Sequence, residues 1–446
     1  MSALITATVS IWGKPVGAVL WDEKRRIGVF EYEPSFVRTG VELAPIEMRL
    51  PVGRNSRQFS FATLNRETYQ GLPGLLADSL PDRYGRQLID AWLASKGRDA
   101  ASFTPVEHLC YLGHRGMGAL VYEPASQPAL EKGASVKVGE LVRFARQVLT
   151  NRGGLHTSLA ANNAVEGLAE IISVGTSAGG ARAKAVIAYN SVTKEVRSRQ
   201  VDAPEGFAHW LLKLDGVTNA SLGDPAGYGR IEYAYHLMAR QAGLQMTDCQ
   251  LLEENGRAHF MTRRFDRVDG SQRLHMQTLC GLAHYDYNKP GSYTYEQAFQ
   301  VLLKLRLPHP AVEELYRRMA FNVVARNQDD HTKNISFLMN PAGVWSLSPA
   351  YDVTYSYNPT GEWSHHHQMS LADKVDGFTE DDFLQLAKKV QVKKPGEIIQ
   401  QVVDAVAGWP TFAADAGVPK KQQQAIAKTH RLQLFNGLTQ LSSSAS

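Results

Sequence analysis

Cysteine is scarce in this chain, since only Cys110, Cys249 and Cys280 occur among 446 residues. Three scattered cysteines match neither a disulfide framework nor paired zinc ligands, so we expect a reducing, cytoplasmic setting. Apolar runs of the ~18 residues that a membrane span needs are also missing. No basic region precedes an apolar stretch at the N-terminus, and export is therefore not expected.

Charge of one sign is not in excess either. The chain has 48 Lys and Arg against 44 Asp and Glu, which gives a net charge of +4. This balance does not by itself predict nucleic-acid binding, which would need a local patch or a partner. Hydrophobic residues make up 43% and charged residues 21%, as is usual for a globular protein.

Strand signals dominate the beginning of the chain. Short apolar runs separated by turn residues predict a compact β-rich start up to about Tyr122. The runs are Val9–Trp12, Val16–Trp21 and Gly28–Tyr32. A helical pattern begins at Pro81, where Tyr84, Leu88 and Trp92 recur at helical spacing.

Residues 123–137 are rich in Pro, Gly and Ser and predict a linker. Strand signals return between Ser173 and Arg267, and helical signals dominate from about Tyr293. The pattern therefore predicts an α+β protein, which we divide into residues 1–125, 126–292 and 293–446.

A helix, a polar loop and a hairpin are predicted in the third segment. An apolar face behind Pro310 predicts the helix. Ile335–Met339 and Val344–Leu347 flank the turn signal Asn-Pro-Ala-Gly and predict a β-hairpin. Pairing across that turn would bring Asn334 close to the residues just before Asp352.

Asp329, Asn334 and Asp352 are the oxygen-bearing groups that nucleotide-dependent phosphoryl transfer needs. Asn334 and Asp352 would hold Mg²⁺, and Asp329 would deprotonate an acceptor hydroxyl. The spacing D-x-x-x-x-N is that of protein-kinase catalytic loops. His331 stands where those enzymes usually carry Lys, and it would donate a hydrogen bond to the phosphate. A solvated loop that caps a helix is the alternative interpretation of this polar run.

A glycine-rich stretch lies upstream, Gly175-Thr-Ser-Ala-Gly-Gly-Ala-Arg-Ala-Lys184, ahead of a predicted strand Ala185–Tyr189. Glycines let backbone N–H groups approach phosphate oxygens, and Lys184 adds positive charge. The stretch is neither a Walker motif nor a G-x-G-x-x-G fingerprint. An ordinary flexible turn is the alternative.

The next predicted strand places Lys213 among apolar residues, as expected of a phosphate-binding lysine on a kinase strand. Glu232 follows on a helix with a buried stripe. An ion pair between Lys213 and Glu232 would orient the lysine toward a nucleotide, while a solvent-facing Glu232 is equally compatible with the sequence. Residues Ala258–Arg267 predict a strand that leads to a hinge.

Several motifs in fixed order resemble the HipA family of toxins. They cover nearly the whole chain and are Gly71-Leu-Pro-Gly-Leu-Leu-Ala-Asp-Ser-Leu-Pro-Asp82, Ser177-Ala-Gly-Gly-Ala-Arg-Ala-Lys184, the Lys213 strand, Arg264-Phe-Asp-Arg267, Asp329-Asp-His-Thr-Lys-Asn334 and Ser348-Pro-Ala-Tyr-Asp352.

The resemblance implies a two-lobed kinase-like fold, with a β-rich N-terminal lobe, an accessory subdomain and a mostly helical C-terminal lobe. It also implies a serine/threonine-protein kinase toxin of a bacterial toxin–antitoxin system, which uses ATP and Mg²⁺. The expected partner is a small helix-turn-helix antitoxin (HipB-like) that binds operator DNA. The expected substrate is an aminoacyl-tRNA synthetase, whose phosphorylation would arrest growth.

The same resemblance assigns the residues their roles. Asp329 matches the catalytic base, and Asn334 and Asp352 match the metal ligands. Lys213 matches the ATP-phosphate lysine, and Arg263 and Phe265 would lie at the adenine hinge. The Gly-rich loop would cover the phosphates with Ser177, Ala178, Gly179, Gly180, Ala181 and Lys184.

Ser177 lies where members of the HipA family phosphorylate themselves. A phosphoserine adds a charge of about −1.5 to −2, which would repel the loop from ATP and inhibit the kinase. Thr176 offers a second hydroxyl. The chain has Gly-Ala-Arg-Ala-Lys where Gly-Ala-Gln-x-Lys is commoner, and either hydroxyl could be the acceptor.

Three other interpretations compete with a kinase. His365-His366-His367 could bind a metal, although consecutive histidines lack the spacing of helical zinc ligands. A metallohydrolase could use Asp329, Asp330 and His331, but no second cluster of ligands accompanies them. A catalytically weak scaffold could act as corepressor with its antitoxin. In the kinase interpretation Asp330 has no role beyond solvation or a helix–loop hydrogen bond.

Overall fold

The structure is a computed structural model, which describes residues 6–53, 57–126, 137–150, 175, 182–198, 203–217, 227–268 and 272–435. It divides into two compact units. The first unit comprises Met1–Gly229, Asp248–Gln277 and Met339–Val344, and the second Arg230–Thr247, Thr278–Leu338 and Trp345–Ser446. Ser177–Ala181 of the predicted Gly-rich loop lie outside the described residues.

Two five-stranded sheets form the framework of the first unit. One has the order β4-β3-β2-β1-β5, and its strands are β1 (Thr6–Ile11), β2 (Lys14–Asp22), β3 (Ile27–Tyr32), β4 (Gln58–Phe59) and β5 (Leu120–Glu123). The other has the order β7-β6-β8-β10-β9, and its strands are β6 (Lys184–Tyr189), β7 (Val196–Arg197), β8 (Ala208–Lys213), β9 (Cys249–Glu254) and β10 (Arg257–Arg263).

The remaining described strands are short. They are β11 (Arg267–Val268), β12 (Gln272–Arg273), β13 (His275–Thr278), β14 (Tyr293–Thr294), β15 (Ser336–Met339), β16 (Trp345–Leu347) and β17 (Met369–Ser370).

Helices are short in the first unit and longer in the second. Those of the described residues are α1 (Pro34–Val37), α2 (Arg66–Tyr69), α3 (Gly74–Ala77), α4 (Arg83–Ser95), α5 (Pro105–Leu112), α6 (Val138–Thr150), α7 (Tyr228–Gln241), α8 (Leu279–Ala283), α9 (Tyr295–Lys304), α10 (His309–Val324), α11 (Glu380–Val390), α12 (Pro395–Ala407), α13 (Trp409–Asp415) and α14 (Lys420–Ala427). No helix of the described residues is long and apolar enough to cross a membrane.

One apolar core joins α4 and α6 to the second sheet. Tyr84 and Leu88 from α4 pack with Leu141 from α6 and with Ile187 and Leu212 from the sheet. The helical spacing that starts after Pro81 thus predicts the buried face of α4 correctly, because burial of one stripe is what makes such a short helix stable.

The predicted helix and hairpin of the C-terminal segment are confirmed. Helix α10 begins one residue before Pro310 and ends at Val324. Strands β15 and β16 lie before and after a turn, in which Asn340 N–H donates to Val344 O over 3.2 Å. By contrast, the strand predicted for Ala258–Arg267 is too long, since β10 ends at Arg263.

The shortened strand reflects a buried ionic network that begins at the next residue. Asp266 accepts from Arg264 Nε and Nη2 over 2.9 and 2.6 Å, and from Arg267 Nη1 over 2.7 Å. The Gly118 N–H also donates to it over 2.6 Å. Burial alone would raise the pKa of Asp266, but these donors outweigh it and hold the pKa well below its usual range.

Gly118 completes this network from the N-terminal domain. Its carbonyl accepts from Arg267 Nη1 over 3.0 Å and from Arg273 Nη2 over 2.9 Å. The backbone φ of Gly118 is +76°, and a Cβ there would lie 3.0 Å from Met276 N. Only glycine takes up this conformation without strain. The network therefore fixes the loop before β5 against the segment that follows β10, including β11 and β12.

We predict that Asp266→Asn lowers the free energy of unfolding by about 3–5 kcal/mol, because it leaves Arg264 and Arg267 buried without their counter-charge. Urea denaturation at pH 7 measures this change. The difference from wild type should shrink as pH falls below about 4, because Asp266 of the unfolded chain then takes up a proton, while the native carboxylate, whose pKa is lowered, stays ionised. Exposed Asp373 supplies the matched control, Asp373→Asn. A loss at Asp266 no larger than that of the control would contradict the prediction.

Candidate active site

The polar loop after α10 is shaped by hydrogen bonds within its own backbone. Asn327 N–H donates to Asn322 O over 2.9 Å, and Arg326 has a left-handed φ of 58° that ends the helix. A single 3₁₀ turn, Thr332–Asn334, closes the loop, with Asn334 N–H bonded to His331 O over 2.8 Å. The loop thus has a defined course between α10 and β15.

Asp329 and Asn334 face each other across this loop. Asn334 Nδ2 donates to Asp329 O over 2.7 Å. Because the amide nitrogen makes that bond, Oδ1 lies on the other side of the amide and is available as a ligand. The Asp329 side chain is 54% exposed and lies 3.8 Å from His331 Nε2. The carboxylate can therefore meet a hydroxyl group that arrives from solvent.

The hairpin carries Asp352 to the same loop. Ser348 N–H donates to Ser336 O over 2.9 Å, which continues the pairing of β15 and β16 toward their open end. Tyr351 Oη then donates to Lys333 O over 2.5 Å, so the residues adjoining Asn334 and Asp352 are bonded directly. Asp352 has a φ of 52°, which is the left-handed region that Asp tolerates better than most residues.

A buried arginine supports the base of the hairpin. Arg318 Nη2 donates to Ser348 O over 2.7 Å, and its Nε donates to Glu314 Oε1 over 2.7 Å. Burial lowers the pKa of Arg318, while Glu314 opposes that shift. Arg318 also lines a small cavity together with Asn334 and Tyr351. Helix α10 therefore positions both the loop that follows it and the strand that returns to it.

Asp330, for which the sequence offered no specific role, is buried and fully engaged. Its Oδ2 accepts from Tyr295 Oη over 2.7 Å and contacts His367 Nδ1 at 2.8 Å, and its Oδ1 accepts the Gln368 N–H over 2.8 Å. Burial raises the pKa of Asp330, but His367, Tyr295 and Gln368 outweigh it and lower the pKa. Of the two neighbouring acids, Asp330 faces inward and Asp329 outward.

Aromatic residues that sequence reasoning missed lie beside the loop. The Tyr287 ring lies 5.3 Å from the His331 ring and 5.1 Å from Lys333 Nζ. Thr332 Oγ1 donates to Tyr285 O over 2.6 Å. The sequence Tyr285-Asp-Tyr-Asn-Lys-Pro-Gly-Ser-Tyr is dense in tyrosine, but nothing in its spacing pointed to this position.

The two predicted phosphate lysines lie on neighbouring strands of the first unit. Lys184 in β6 is opposite Lys213 in β8, and Lys213 is opposite Phe260 in β10. The Lys184 side chain is only 3% exposed, and its Nζ lies 3.6 Å from Asp82 Oδ2. Lys213 is half-buried, with its Nζ 5.7 Å from the Phe260 ring centre. Its predicted partner Glu232 belongs to the second unit.

The predicted hinge residues lie at the end of β10 and just after it. Arg263 N–H donates to Asp248 O over 2.9 Å, and the Arg263 side chain is exposed, 3.8 Å from the Asp248 carboxylate. Phe265 is half-buried between the buried Arg264 and Asp266. Backbone groups at this point are thus held in place, and binding of adenine there stays a prediction.

The three consecutive histidines take different environments. The rings of His365 and His366 lie 4.0 Å apart, whereas His367 is buried against Asp330. Among the described residues, no group of three or more His, Cys, Asp and Glu side chains is placed to hold a metal ion.

Two family models match this chain, one in its N-terminal part and one in its C-terminal part. The family model for the "HipA N-terminal domain" matches residues 7–123, and the model for the "HipA-like C-terminal domain" matches residues 176–409. The second of these spans more than half of the chain.

Curated relatives are distant and are matched in part. "Putative kinase Y4mE" of Sinorhizobium fredii is 27% identical over 192 residues, which are 41% of this chain and 39% of that protein. "Serine/threonine-protein kinase toxin HipA" of Shewanella oneidensis is 22% identical over 165 residues, which are 32% of this chain and 38% of that protein. The chain thus spans less than two thirds of the length of these relatives.

A solved structure matches the fold along nearly the whole chain. It is HipA in the complex of HipA, HipB and operator DNA from Shewanella oneidensis, with a TM-score of 0.65, 15% identity and 97% coverage of both chains. The chain therefore has the α+β, two-lobed fold of that protein. Together with the two domain matches, this shows that the chain belongs to the HipA family.

We predict that Asp82→Asn destabilises the protein by about 3–5 kcal/mol, because the buried Lys184 then loses the carboxylate that lies 3.6 Å from its Nζ. Asp82 Oδ1 also caps α4 by accepting the Gly85 N–H over 2.7 Å, and Asn preserves such a cap. The loss is therefore assigned to the ion pair. Thermal denaturation of the single variants and of Asp82→Asn combined with Lys184→Met measures it. The double variant should be more stable than Asp82→Asn, and equal losses would contradict the prediction.

Proposed function

We propose that this protein is a serine/threonine-protein kinase toxin of a toxin–antitoxin system. The observation that carries the proposal is the position of the Asp329 carboxylate, which faces outward. Asn334 holds the backbone carbonyl of Asp329, and the hairpin that bears Asp352 borders the same loop. Relatives whose names describe them as kinases support the proposal, and so does membership of the HipA family. Residues 1–125 would form the N-terminal subdomain, 126–292 the nucleotide lobe and 293–446 the catalytic lobe.

Asp329 would accept the proton of an acceptor hydroxyl as that oxygen attacks the γ-phosphate of ATP. Asn334 Oδ1 and the Asp352 carboxylate would hold Mg²⁺, which screens the charge of the phosphates. An amide oxygen and a carboxylate are suitable ligands for this hard cation. His331, beside Asp329, would donate a hydrogen bond to the phosphate.

The proposed nucleotide-binding groups belong to the Gly-rich loop, to β6 and β8, and to the end of β10 and the residues just after it. Lys213 would contact the ATP phosphates together with the Gly-rich loop, and Arg263 and Phe265 would border the adenine. Lys184 would add charge near the phosphates, although its Nζ now lies beside Asp82. Transfer to Ser177 or Thr176 would place a phosphate of about −1.5 to −2 charge in the loop and inhibit ATP binding.

For partners, we propose a small helix-turn-helix antitoxin, with operator DNA bound mainly through it. The likeness to HipA in a complex with HipB and operator DNA supports this. The proposed substrate is a translation protein, an aminoacyl-tRNA synthetase, and the proposed outcome is growth arrest in the cytoplasm. The small net charge of +4 is compatible with DNA contact that depends on the antitoxin.

We predict that Asp329→Asn reduces phosphate transfer from labelled ATP by about 100- to 10,000-fold, which is the range for loss of a general base. Autophosphorylation and transfer to an added protein acceptor, both in Mg²⁺, measure the effect. Asp373→Asn is the control at an exposed site. Equal transfer by Asp329→Asn and wild type would contradict the mechanism, and a wild type that binds no ATP would favour a corepressor scaffold.

We predict that wild-type protein carries phosphate within residues 175–184 and that Asp329→Asn protein does not. Peptide mass spectrometry of both proteins, expressed alike, tests this. Separate Ser177→Ala and Thr176→Ala variants identify the acceptor hydroxyl. Phosphate found only outside this stretch would reject the proposed inhibition through the loop.

A further inference from the structure

The residue after the proposed base is tied to a distant histidine by a contact that the proposed reaction does not use. Asp330 is buried, and its carboxylate meets His367 Nδ1 at 2.8 Å. The His367 side chain has no exposed area. An ionised carboxylate at such a site is costly unless each oxygen is paired, and here three donors pair them. The contact therefore has a defined geometry.

We propose that Asp330 and His367 are positioning residues, which form a clamp that fixes the direction of the Asp329 carboxylate. This inference rests on the proposed kinase function. Adjacent residues share one peptide unit, so fixing Asp330 from the inside limits the rotation of Asp329 outside. Asn334 Nδ2 holds the Asp329 carbonyl over 2.7 Å from the other direction. The base is thus restrained on both sides.

The clamp also holds the end of the segment that follows Asp352. That segment, residues 353–366, connects the proposed metal ligand Asp352 to His367 and Gln368. Gln368 donates its N–H to Asp330 Oδ1 over 2.8 Å, and its Nε2 donates to His366 O over 3.3 Å and to Trp363 O. The segment is therefore attached beside Asp329 as well as beside Asp352.

Helices α9 and α10 brace the clamp from behind. Tyr295 Oη donates to Asp330 Oδ2 over 2.7 Å and accepts from Asn322 Nδ2 over 3.1 Å. Asn322 Oδ1 accepts in turn from Asn327 Nδ2 over 2.9 Å. These side chains link the helix before the loop to its buried acid. Substitution of His367 should therefore alter the conformation of the loop, while the hydrogen bonds from Tyr295 and Asn322 remain.

The tautomer of His367 makes the proposal testable by substitution. An ionised Asp330 accepts, so Nδ1 carries the proton, and Nε2 has no hydrogen-bond partner among the described residues. The amide nitrogen of Asn can replace an imidazole Nδ1 donor, whereas the longer side chain of Gln places its nitrogen nearer to Nε2. Leu removes both nitrogens at similar volume.

The experiment compares His367→Leu, His367→Gln and His367→Asn in the full-length protein. We expect kcat for phosphate transfer to fall about 10- to 100-fold in the Leu and Gln variants, as for a misplaced catalytic group. The KM for ATP should stay near the wild-type value, and the Asn variant should recover most of the activity. His365→Leu, at an exposed neighbouring histidine, is the control. Melting temperatures confirm that each protein is folded at the assay temperature.

Hydrogen–deuterium exchange of peptides covering residues 327–335 gives a readout that does not need activity. Faster exchange in His367→Leu than in wild type and His365→Leu would support the clamp. Unchanged kcat in a folded His367→Leu protein would overturn the positioning role. If wild type transfers no phosphate, the proposed function fails, and unchanged exchange in His367→Leu would then overturn the clamp independently.

Discussion

Burying an ionised carboxylate is costly unless donors meet both of its oxygens, and a buried acid in each unit fulfils this condition. In the first unit Asp266 takes donors from Arg264, Arg267 and Gly118, and so joins the loop before β5 to the segment that follows β10. In the second unit Asp330 takes donors from Tyr295, His367 and Gln368. Because Gly118 reaches Asp266 from a distant segment, and Tyr295 and His367 reach Asp330 from two others, each acid joins segments that are far apart in the sequence.

The elements set by local sequence could be predicted, and the two buried acids could not. Helix α10 and the β15–β16 hairpin follow from apolar spacing and a turn signal, which act over a few residues. The positions of Asp329 and Asn334 on one loop follow from the same pattern. Which of the two neighbouring acids faces outward depends on Tyr295 and His367, and those are 35 and 37 residues away from Asp330.

The lysines show the same limit. Sequence reasoning placed Lys213 on a strand and Lys184 just ahead of one, whereas Lys184 is the first residue of β6. The register that puts the two lysines opposite each other depends on the pairing of β6 with β8. The partner of Lys184, Asp82, lies 102 positions earlier in the sequence. The Asp82 carboxylate lies 3.6 Å from Lys184 Nζ and offsets the cost of burying that charge.

The left-handed backbone of Asp352 restricts which residues suit that position more than the need for a metal ligand does. Glutamate is an adequate ligand for Mg²⁺, and many side chains would fit a half-exposed site. Among residues with a side chain, Asn and Asp take up a positive φ most readily, and of these two only Asp carries a negative charge. The backbone at the hairpin exit therefore favours Asp over Glu at position 352, before any ligand is bound.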